Sequence, residues 1–484
     1  MQGLFMPLTP AITAFLPPWV AQQRWYAGKG RTPMLSRVGG LVLEDPAGEV
    51  GIDIHLMLDE SGQTPTIYQV PLTYRRARLM GADHALVAIV QNENRDRPGQ
   101  QGTRFIYDAP HDPVFAAALL GLILDEGTAS SEGSDGPQSS GADGHRLVTG
   151  DLGAVLASHV LTGEQSNTSV VLDLVDSSGV VAKPLICKLF RVLHHGQNPD
   201  VVVQSALATA GSTHVPRSVG YVCGHWPDNG APDGVARGHL AFAQEFLPGV
   251  EDAWRVALAA VASGTDFTEQ ARSLGQATAQ VHAALAQAMG TREATDDDAV
   301  ALTRSMRARH ACALSEAPAL AAYDSMVHAS IEQVSSARWP ALQQIHGDYH
   351  LGQVLDVPGR GWVVVDFEGE PLRPLAERGQ PDLALRDVAG MLRSFDYVAG
   401  SWEQTHPGRS AASWAAGARA AFLDGYTSSA GRDPRQDAVL LDALELDKAL
   451  YEVVYEARNR PLWLSIPITA IARMSAGRRR DQPS

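Results

Sequence analysis

The alternation of hydrophobic and polar positions changes along the chain and predicts three regions. Near the N-terminus, short runs such as 51–58 and 66–71 alternate with the period of half-buried β-strands. A helical pattern at 105–124 is followed by further strand-like segments, and from residue 249 onward apolar residues recur every three or four positions, as in helices. The predicted divisions are therefore residues 1–104, 105–248 and 249–484.

A polar segment interrupts the second region. Residues 125–144 are dominated by Ser, Gly, Asp and Glu, which cannot bury a core. We expect a flexible surface loop here and place no function on it.

Composition and charge narrow the class of protein. The chain has 484 residues and a net charge of −15, which argues against nucleic acid and anionic membrane as partners because both require a basic surface. Its three cysteines show no metal-binding spacing, and neither a signal peptide nor a transmembrane run is evident. We expect a cytoplasmic protein that is monomeric, with a homodimer as the alternative.

The chemistry is concentrated in one polar turn and the strand that follows it. The turn contains His346, Asp348 and Gln353, and an apolar run ending at Val365 predicts a short buried strand that delivers Asp366. The two aspartates are 18 residues apart, enough for a hairpin that returns the second beside the first. Such a group suits phosphoryl transfer: one Asp can orient and deprotonate a hydroxyl, while the other Asp and the amide hold Mg²⁺.

A lysine in an apolar strand adds to this chemistry. Lys188 stands in the middle of Leu-Ile-Cys-Lys-Leu-Phe, and an ammonium buried there needs a partner. A nucleotide phosphate would provide one, as for the lysine of kinase strands. The following helix contains no glutamate, so Asp200 or Gln204 would have to hold the lysine.

These motifs resemble those of a known family. HGDYHLGQVL at 346–355 and DFE at 366–368 are similar to the catalytic loop and the DFG segment of kinase-fold enzymes. The nearest pattern is that of aminoglycoside-phosphotransferase-like sugar kinases, in particular actinobacterial maltokinases. Further motifs of that family are QQRWYAGKGR at 22–31, GEQSNTSVVLD at 163–173, RDVAGMLRSFDY at 386–397 and YEVVYEARNRP at 451–461.

The resemblance implies an α+β, bilobal protein-kinase-like fold with an N-terminal cap, ATP bound between the lobes, and Mg²⁺. It makes Asp348 the residue that positions the acceptor hydroxyl, and Gln353 and Asp366 the magnesium ligands. His346 and Asp387 would brace the catalytic loop. The predicted ATP contacts are Lys188, the loop residues Ser166, Asn167 and Thr168, and the hinge residues Gln244, Phe246 and Leu247.

The acceptor is predicted to be a free sugar. The family places its sugar near the last long helix, so the candidate contacts are Asp348, Glu368, Glu370, Glu452, Glu456 and Trp463. These acids have no nearby cation in the sequence beyond Arg458 and Arg460, and such a cluster could pair with a ligand ammonium.

Phosphorylation of D-glucosamine to glucosamine 6-phosphate is therefore narrowly favoured over that of maltose to maltose 1-phosphate. A non-catalytic nucleotide- or sugar-binding regulator is the alternative from a different class. A protein kinase is less favoured, because no APE-type segment is evident.

Overall fold

The computed structural model describes residues 10–93, 101–131, 139–163, 166–231, 233–370, 373 and 375–480. The chain divides into two compact units, one comprising Met1–Val201 with Arg217–Leu247 and the other Val202–Pro216 with Pro248–Ser484. We call them unit 1 and unit 2. Within the described residues, none of the helices has the length and apolar character needed to cross a membrane.

Unit 1 consists mainly of strands. Its elements are α1 Pro10–Gln22, β1 Leu35–Leu43, β2 Gly51–Asp59, β3 Thr66–Arg75, β4 Leu86–Glu93, β5 Gln101–Asp108, α2 Pro113–Leu124, β6 Thr128–Ser130, β7 Gly141–Arg146, β8 Ala154–Val160, β9 Asn167–Val175, β10 Leu185–Phe190, β11 Val192–Leu193, the start of α3 Pro199–Thr209, β12 Ser218–Pro227 and β13 Val235–Glu245.

The first sheet has the antiparallel order β1-β2-β3-β5-β4, and β11 pairs with β3. Strand β2 is buried on both faces: its Ile54 belongs to the cluster that contains Phe115 of α2, whereas its Met57 packs in the cluster of Trp25. The predicted boundary at residue 104 falls inside β5, so a division there would cut this sheet. The predicted helix also begins later, at Pro113, because Asp112 caps it by accepting from the N–H of Val114.

The second sheet has the order β6-β7-β12-β13-β10-β9-β8. Lys188 lies on β10, between β13 and β9. The predicted loop over 125–144 is wrong at both ends, because β6 and β7 pair with each other and β7 also pairs with β12. Small residues make this possible: a Cβ at Gly144 would meet the carbonyl oxygen of Leu122 at 1.8 Å. Residues 132–138 of the predicted loop lie outside the described residues.

Unit 2 consists mainly of helices. Its elements after α3 are β14 Glu251–Asp252, α4 Ala253–Ser263, α5 Thr268–Met289, β15 Thr291–Arg292, α6 Asp296–Glu316, α7 Asp324–Ser336, β16 Leu342–Gln343, β17 Val354–Val357, β18 Gly361–Val364, α8 Leu375–Arg378, α9 Ala384–Thr405, α10 Ala412–Ala430, α11 Ala438–Asn459 and α12 Ser465–Arg480. The apolar periodicity predicted α5 and α11 at these bounds.

Helix α9 packs against the backbone of the polar turn that precedes β17. A Cβ at Gly390 would lie 2.5 Å from the carbonyl oxygen of Tyr349, so this approach requires a glycine. β17 and β18 form the predicted antiparallel hairpin, with Val354 opposite Val364. The hairpin and α9 together fix the position of the turn that carries Asp348.

Candidate active site

A buried carboxylate forms hydrogen bonds with the backbone of the polar turn. Asp387 of α9 accepts from the backbone N–H groups of His346 at 2.8 Å and Gly347 at 2.9 Å, and its Oδ2 lies 3.0 Å from Nε2 of His282. Burial tends to raise the pKa of Asp387, but its bond to His282 and the neighbouring charges lower that pKa below its usual range. The predicted role of Asp387 as an anchor of the loop is confirmed.

The imidazole of His346 also stabilises the polar turn. Its Nε2 donates to the carbonyl oxygen of Val365 at 3.0 Å, and its Nδ1 accepts from the N–H of Asp348 at 3.3 Å. Because both ring nitrogens are engaged by backbone groups, the imidazole links the turn to the end of β18. This agrees with the prediction that His346 braces the loop.

Gln353 and Asp366 lie side by side at the base of the hairpin. Nε2 of Gln353 donates to Oδ2 of Asp366 at 3.1 Å. Asp366 has a φ of +65°, a left-handed conformation that costs a non-glycine residue about 1–3 kcal/mol and is concentrated at functional sites. An amide and a carboxylate provide the oxygen ligands that Mg²⁺ prefers, so this pair fits a magnesium site.

The carboxylate of Asp348 is held by a lysine from α11. Nζ of Lys448 lies 2.8 Å from Oδ1 of Asp348 and 3.0 Å from Oε1 of Glu370. Burial tends to lower the pKa of Lys448, but the two carboxylates outweigh it and raise that pKa above its usual value. Lys448 therefore carries its charge at neutral pH and links Asp348 to Glu370.

Glu370 is 4% exposed and belongs to a buried ion-pair network. Arg309 lies 3.3 Å from Glu370 and 3.0 Å from Asp447, which also lies 3.3 Å from Arg386. Burial tends to raise the pKa of Glu370, but Lys448, Arg309 and Arg386 outweigh it and lower that pKa to about 2. Glu370 is therefore ionised and already engaged by protein cations.

A cavity of about 370 Å³ opens beside Asp348 within unit 2. Volumes of about 300–1,000 Å³ are typical of small-molecule sites. Four of the six predicted sugar contacts line it; Glu368 and Glu370 do not. The lining residues are Trp254, Asp348, His350, Gly352, Gly390, Ser394, Tyr397, Lys448, Tyr451, Glu452, Tyr455, Glu456, Arg460 and Trp463.

The glutamates of this cavity are paired with arginines: Arg460 was one of the two cations expected near them, whereas Arg393 was not. Arg393 is fully buried and donates to Oε2 of Glu452 at 2.7 and 3.2 Å. Arg460 donates to both carboxylate oxygens of Glu456, at 2.6 and 2.9 Å. The partners come from α9 and from the end of α11 itself, because uncompensated charges cannot stay in such a buried position.

Aromatic rings form much of the remaining wall. Trp463 stacks on Tyr397 with ring centroids 6.4 Å apart and an interplanar angle of 25°, and Arg460 lies over the indole at 4.7 Å. Tyr397 also donates to Glu456 at 3.3 Å. The cavity therefore combines paired charges with flat apolar surfaces, which is a suitable lining for a polyhydroxylated ring.

In unit 1, the predicted phosphate-binding lysine has a partner. Nζ of Lys188 lies 3.0 Å from Oδ2 of Asp200, at the start of α3. Asp200, one of the two alternatives for that partner, is therefore in contact with the lysine.

The predicted phosphate loop divides into a buried part and an accessible part. Thr168 is buried, and its hydroxyl accepts from Nε of Arg191 at 2.8 Å, so it belongs to the Arg191–Asp108 ion pair. Ser166 is exposed, and the half-buried Asn167 begins β9. The hydroxyl of Thr168 is thus engaged inside the sheet, whereas Ser166 is accessible.

The predicted adenine contacts follow the end of β13. Gln244 lies opposite Ile186 of β10, and the N–H of Phe246 donates to the carbonyl oxygen of Pro184 at 3.1 Å. Leu247 follows outside any regular element. The Phe246 N–H is therefore already engaged by the protein.

Lys448, Arg393 and His350 are among the residues of the cavity region that were not predicted. The sequence contains a signal for the first two. Each is a cation within an apolar helical pattern, and the rule that led to Lys188 applies to them equally. Lys448 also precedes Glu452 by one helical turn. His350 has no comparable signal; burial lowers the pKa of its imidazole, and its Nδ1 accepts from the N–H of Gly352.

Comparison with known proteins gives matches to a domain family and to individual enzymes. Residues 19–112 match the maltokinase N-terminal cap domain. The chain is 30% identical over 342 residues to a glucosamine kinase of Streptacidiphilus jiangxiensis, covering 66% of this chain and 75% of that protein. It is also 30% identical over 338 residues to a glucosamine kinase of Mycolicibacterium smegmatis, covering 65% of this chain and 80% of the relative.

A solved structure has the same fold. It is that of a glucosamine kinase in complex with glucosamine, ADP and inorganic phosphate, with a TM-score of 0.63 and 23% sequence identity, covering 95% of this chain and 98% of the other. Together with the cap match, this likeness confirms the predicted fold class. The match at 19–112 also extends beyond the predicted cap boundary at residue 104, as does β5.

Proposed function

The chain belongs to the glucosamine kinase family, and from that premise we propose that it transfers the γ-phosphate of ATP to the 6-hydroxyl of D-glucosamine. The observation that carries the proposal is the position of Asp348 on the wall of the cavity in unit 2. A carboxylate there can meet a sugar hydroxyl, and α11 provides polar and aromatic groups for the rest of the ring. This enzyme is a sugar phosphotransferase, and the alternative function of a non-catalytic regulator is therefore excluded.

Asp348 is the proposed general base. It would accept the proton of the attacking hydroxyl as the oxygen approaches the γ-phosphorus. Lys448 contacts the Asp348 carboxylate and keeps it in place, and Asp387 keeps the backbone of the turn in place. Positioning and charge provide most of the catalysis in phosphoryl transfer.

The proposed nucleotide contacts are Lys188, oriented by Asp200, with Ser166 and Asn167 on the phosphates and the 244–247 segment on the adenine edge. Gln353 and Asp366 would hold Mg²⁺. When bound, that ion neutralises the charge of the phosphates. Asp366, whose backbone is left-handed, accepts a hydrogen bond from Gln353, so the two proposed ligands lie together.

Recognition of the amino group is assigned to Glu452. Both contacts from Arg393 fall on its Oε2, which leaves the lone pairs of Oε1 for a ligand ammonium. Burial raises the pKa of Glu452 while Arg393 acts in the opposite direction, so an ammonium would stabilise the ionised form. The aromatic pair of Tyr397 and Trp463 would cover an apolar face of the sugar.

The test is to compare kcat/KM for glucosamine, N-acetylglucosamine, glucose and maltose. Acetylation neutralises the amino group, and glucose and maltose carry a hydroxyl in its place, so none of the three competitors has the ammonium. Loss of a charge-assisted contact costs about 1.5 kcal/mol or more, roughly tenfold. Glucosamine should therefore exceed the other three by at least that factor. A maltose value higher by the same margin would restore the maltokinase alternative.

A matched pair of variants separates recognition from folding. Glu452→Gln should reduce the preference for glucosamine over glucose, whereas Glu445→Gln, on the same helix but outside the cavity, should leave that ratio unchanged. If Glu452→Gln has the same preference for glucosamine over glucose as the wild type, a group other than Glu452 contacts the ammonium.

A further inference from the structure

Two histidines and an aspartate meet where α6 and α7 come together, away from the cavity just described. His310 lies on α6, Asp324 is the first residue of α7, and His328 follows one turn later. One ligand atom of each lies within 4.8 Å of the others. None of the three lines the cavity beside Asp348.

His310 is the unusual member of this group. It is 4% exposed, and among the described residues its Nε2 is buried without a hydrogen-bond partner. Buried polar atoms without a partner are rare in folded proteins, and each requires an explanation such as an absent ion. The nearest acidic atom, Oδ1 of Asp324, lies at 3.6 Å, beyond the 2.7–3.2 Å typical of such a bond.

The separation of each histidine from Asp324 fits metal coordination better than hydrogen bonding. Nδ1 of His328 lies 3.4 Å from the same Oδ1 of Asp324. In a tetrahedral zinc site with bonds of about 2.0–2.1 Å, neighbouring ligand atoms are about 3.4 Å apart. The two measured separations are therefore close to the edge of such a tetrahedron.

We propose that His310, Asp324 and His328 form a site for a divalent transition-metal ion, with Zn²⁺ as the best-matched ion and water as the fourth ligand. Two imidazoles and one carboxylate favour such an ion over Mg²⁺, which prefers oxygen ligands only. The ion would link α6 to α7 across the segment between them.

The proposal requires that metal binding changes the tautomer of His328. Its Nδ1 lies 3.0 Å from the carbonyl oxygen of Asp324, so the metal-free ring donates from that atom. Coordination through Nδ1 would transfer the proton to Nε2 of a ring that is 53% exposed. Because His328 is exposed, its replacement removes a ligand without opening the core.

The experiment uses the full chain without a polyhistidine tag, in excess Mg²⁺ to saturate sites made of oxygen ligands. Calorimetric titration with Zn²⁺ should show one equivalent bound by the wild type. His328→Ala and Asp324→Asn should each bind at least tenfold more weakly. His159→Gln, which removes an exposed histidine of unit 1, should bind as the wild type does.

Co²⁺ provides a second measurement, because its visible absorption reports a tetrahedral nitrogen and oxygen environment. That absorption should be present in the wild type and in His159→Gln and absent in His328→Ala. Zn²⁺ should also raise the melting temperature of the wild type, since it binds the folded state only. Failure of the wild type to bind Zn²⁺, or equal binding by His328→Ala, would overturn the proposal.

Discussion

Lys448 Nζ lies 2.8 Å from Asp348 Oδ1, although the two residues are 100 positions apart. The contact joins the proposed base to α11, the helix that also carries Glu452 and Glu456. The same lysine contacts Glu370 at 3.0 Å. The polar turn that carries Asp348 is therefore joined to the wall of the cavity by an ion-pair network.

The first prediction concerns that network. Lys448→Met leaves Glu370 and Asp348 without one cation, and breaking a buried pair from one side costs about 3–5 kcal/mol. The double variant Lys448→Met/Glu370→Gln should lose less stability than the sum of the two single variants, by about 0.5–3 kcal/mol. Denaturant unfolding of the four proteins measures this. Additivity within about 0.5 kcal/mol would show that the two side chains do not interact.

The second prediction concerns the magnesium ligands. Asp366→Asn should reduce turnover by more than a hundredfold because it removes the carboxylate charge proposed to bind the ion. Stability should be nearly unchanged, since Asn also tolerates a left-handed backbone. Asp356→Asn, exposed on the same hairpin, is the control and should retain activity. Turnover of Asp366→Asn within about tenfold of the wild type, or about 1.4 kcal/mol, would exclude this role.

The third prediction concerns the proposed base. Asp348→Ala should reduce phosphorylation of the sugar by roughly two to four orders of magnitude, the usual contribution of general acid–base catalysis. Nucleotide affinity should change little, and equilibrium binding of ATP measures it independently of turnover. If affinity and turnover decline together, Asp348 has a structural role instead.

The fourth prediction concerns pH. Burial lowers the pKa of His239 to about 4, with a smaller contribution from His145, and its Nδ1 accepts from the N–H of Asn198. Below pH 6.5 the unfolded chain gains a proton at this position that the folded chain does not, so stability decreases as the pH falls from 6.5 toward 4. The slope from this residue is at most about 1.4 kcal/mol per pH unit.

Urea unfolding at several pH values measures that slope. His239→Asn retains an acceptor without the titration, so its stability should depend less steeply on pH over this window. His159→Gln should have the slope of the wild type. Identical slopes in all three proteins would contradict the assignment to His239.

Local patterns were sufficient for much of the fold and for part of the site. Helices α5 and α11 follow from apolar periodicity, and the hairpin that carries Asp366 follows from one apolar run between polar turns. The roles of Asp387 and His346 followed from motifs. These features depend on residues that are close together in the chain or lie within one recognisable sequence motif.

The remainder depends on distant contacts. Arg393 and Glu452 are 59 residues apart. No local sequence pattern indicates that the two side chains form an ion pair. For this reason only Arg458 and Arg460 were expected as cations near the acids of the cavity. The argument from uncompensated acids toward an amino sugar therefore fails, and the preference for glucosamine comes from the relatives. The short strands β6 and β7 were missed because they consist of residues typical of loops.

The origin of the cavity wall in α11 has a consequence for synthesis on the ribosome. Chains fold domain by domain as they emerge, and the polar turn with Asp348 is complete about a hundred residues before Lys448 has been translated. A nascent chain that ends before α11 therefore carries Asp348 without its cation and without a wall for the sugar. Phosphotransferase activity should appear abruptly, after α11 has left the exit tunnel, and ribosome-stalled chains of graded length would reveal that onset.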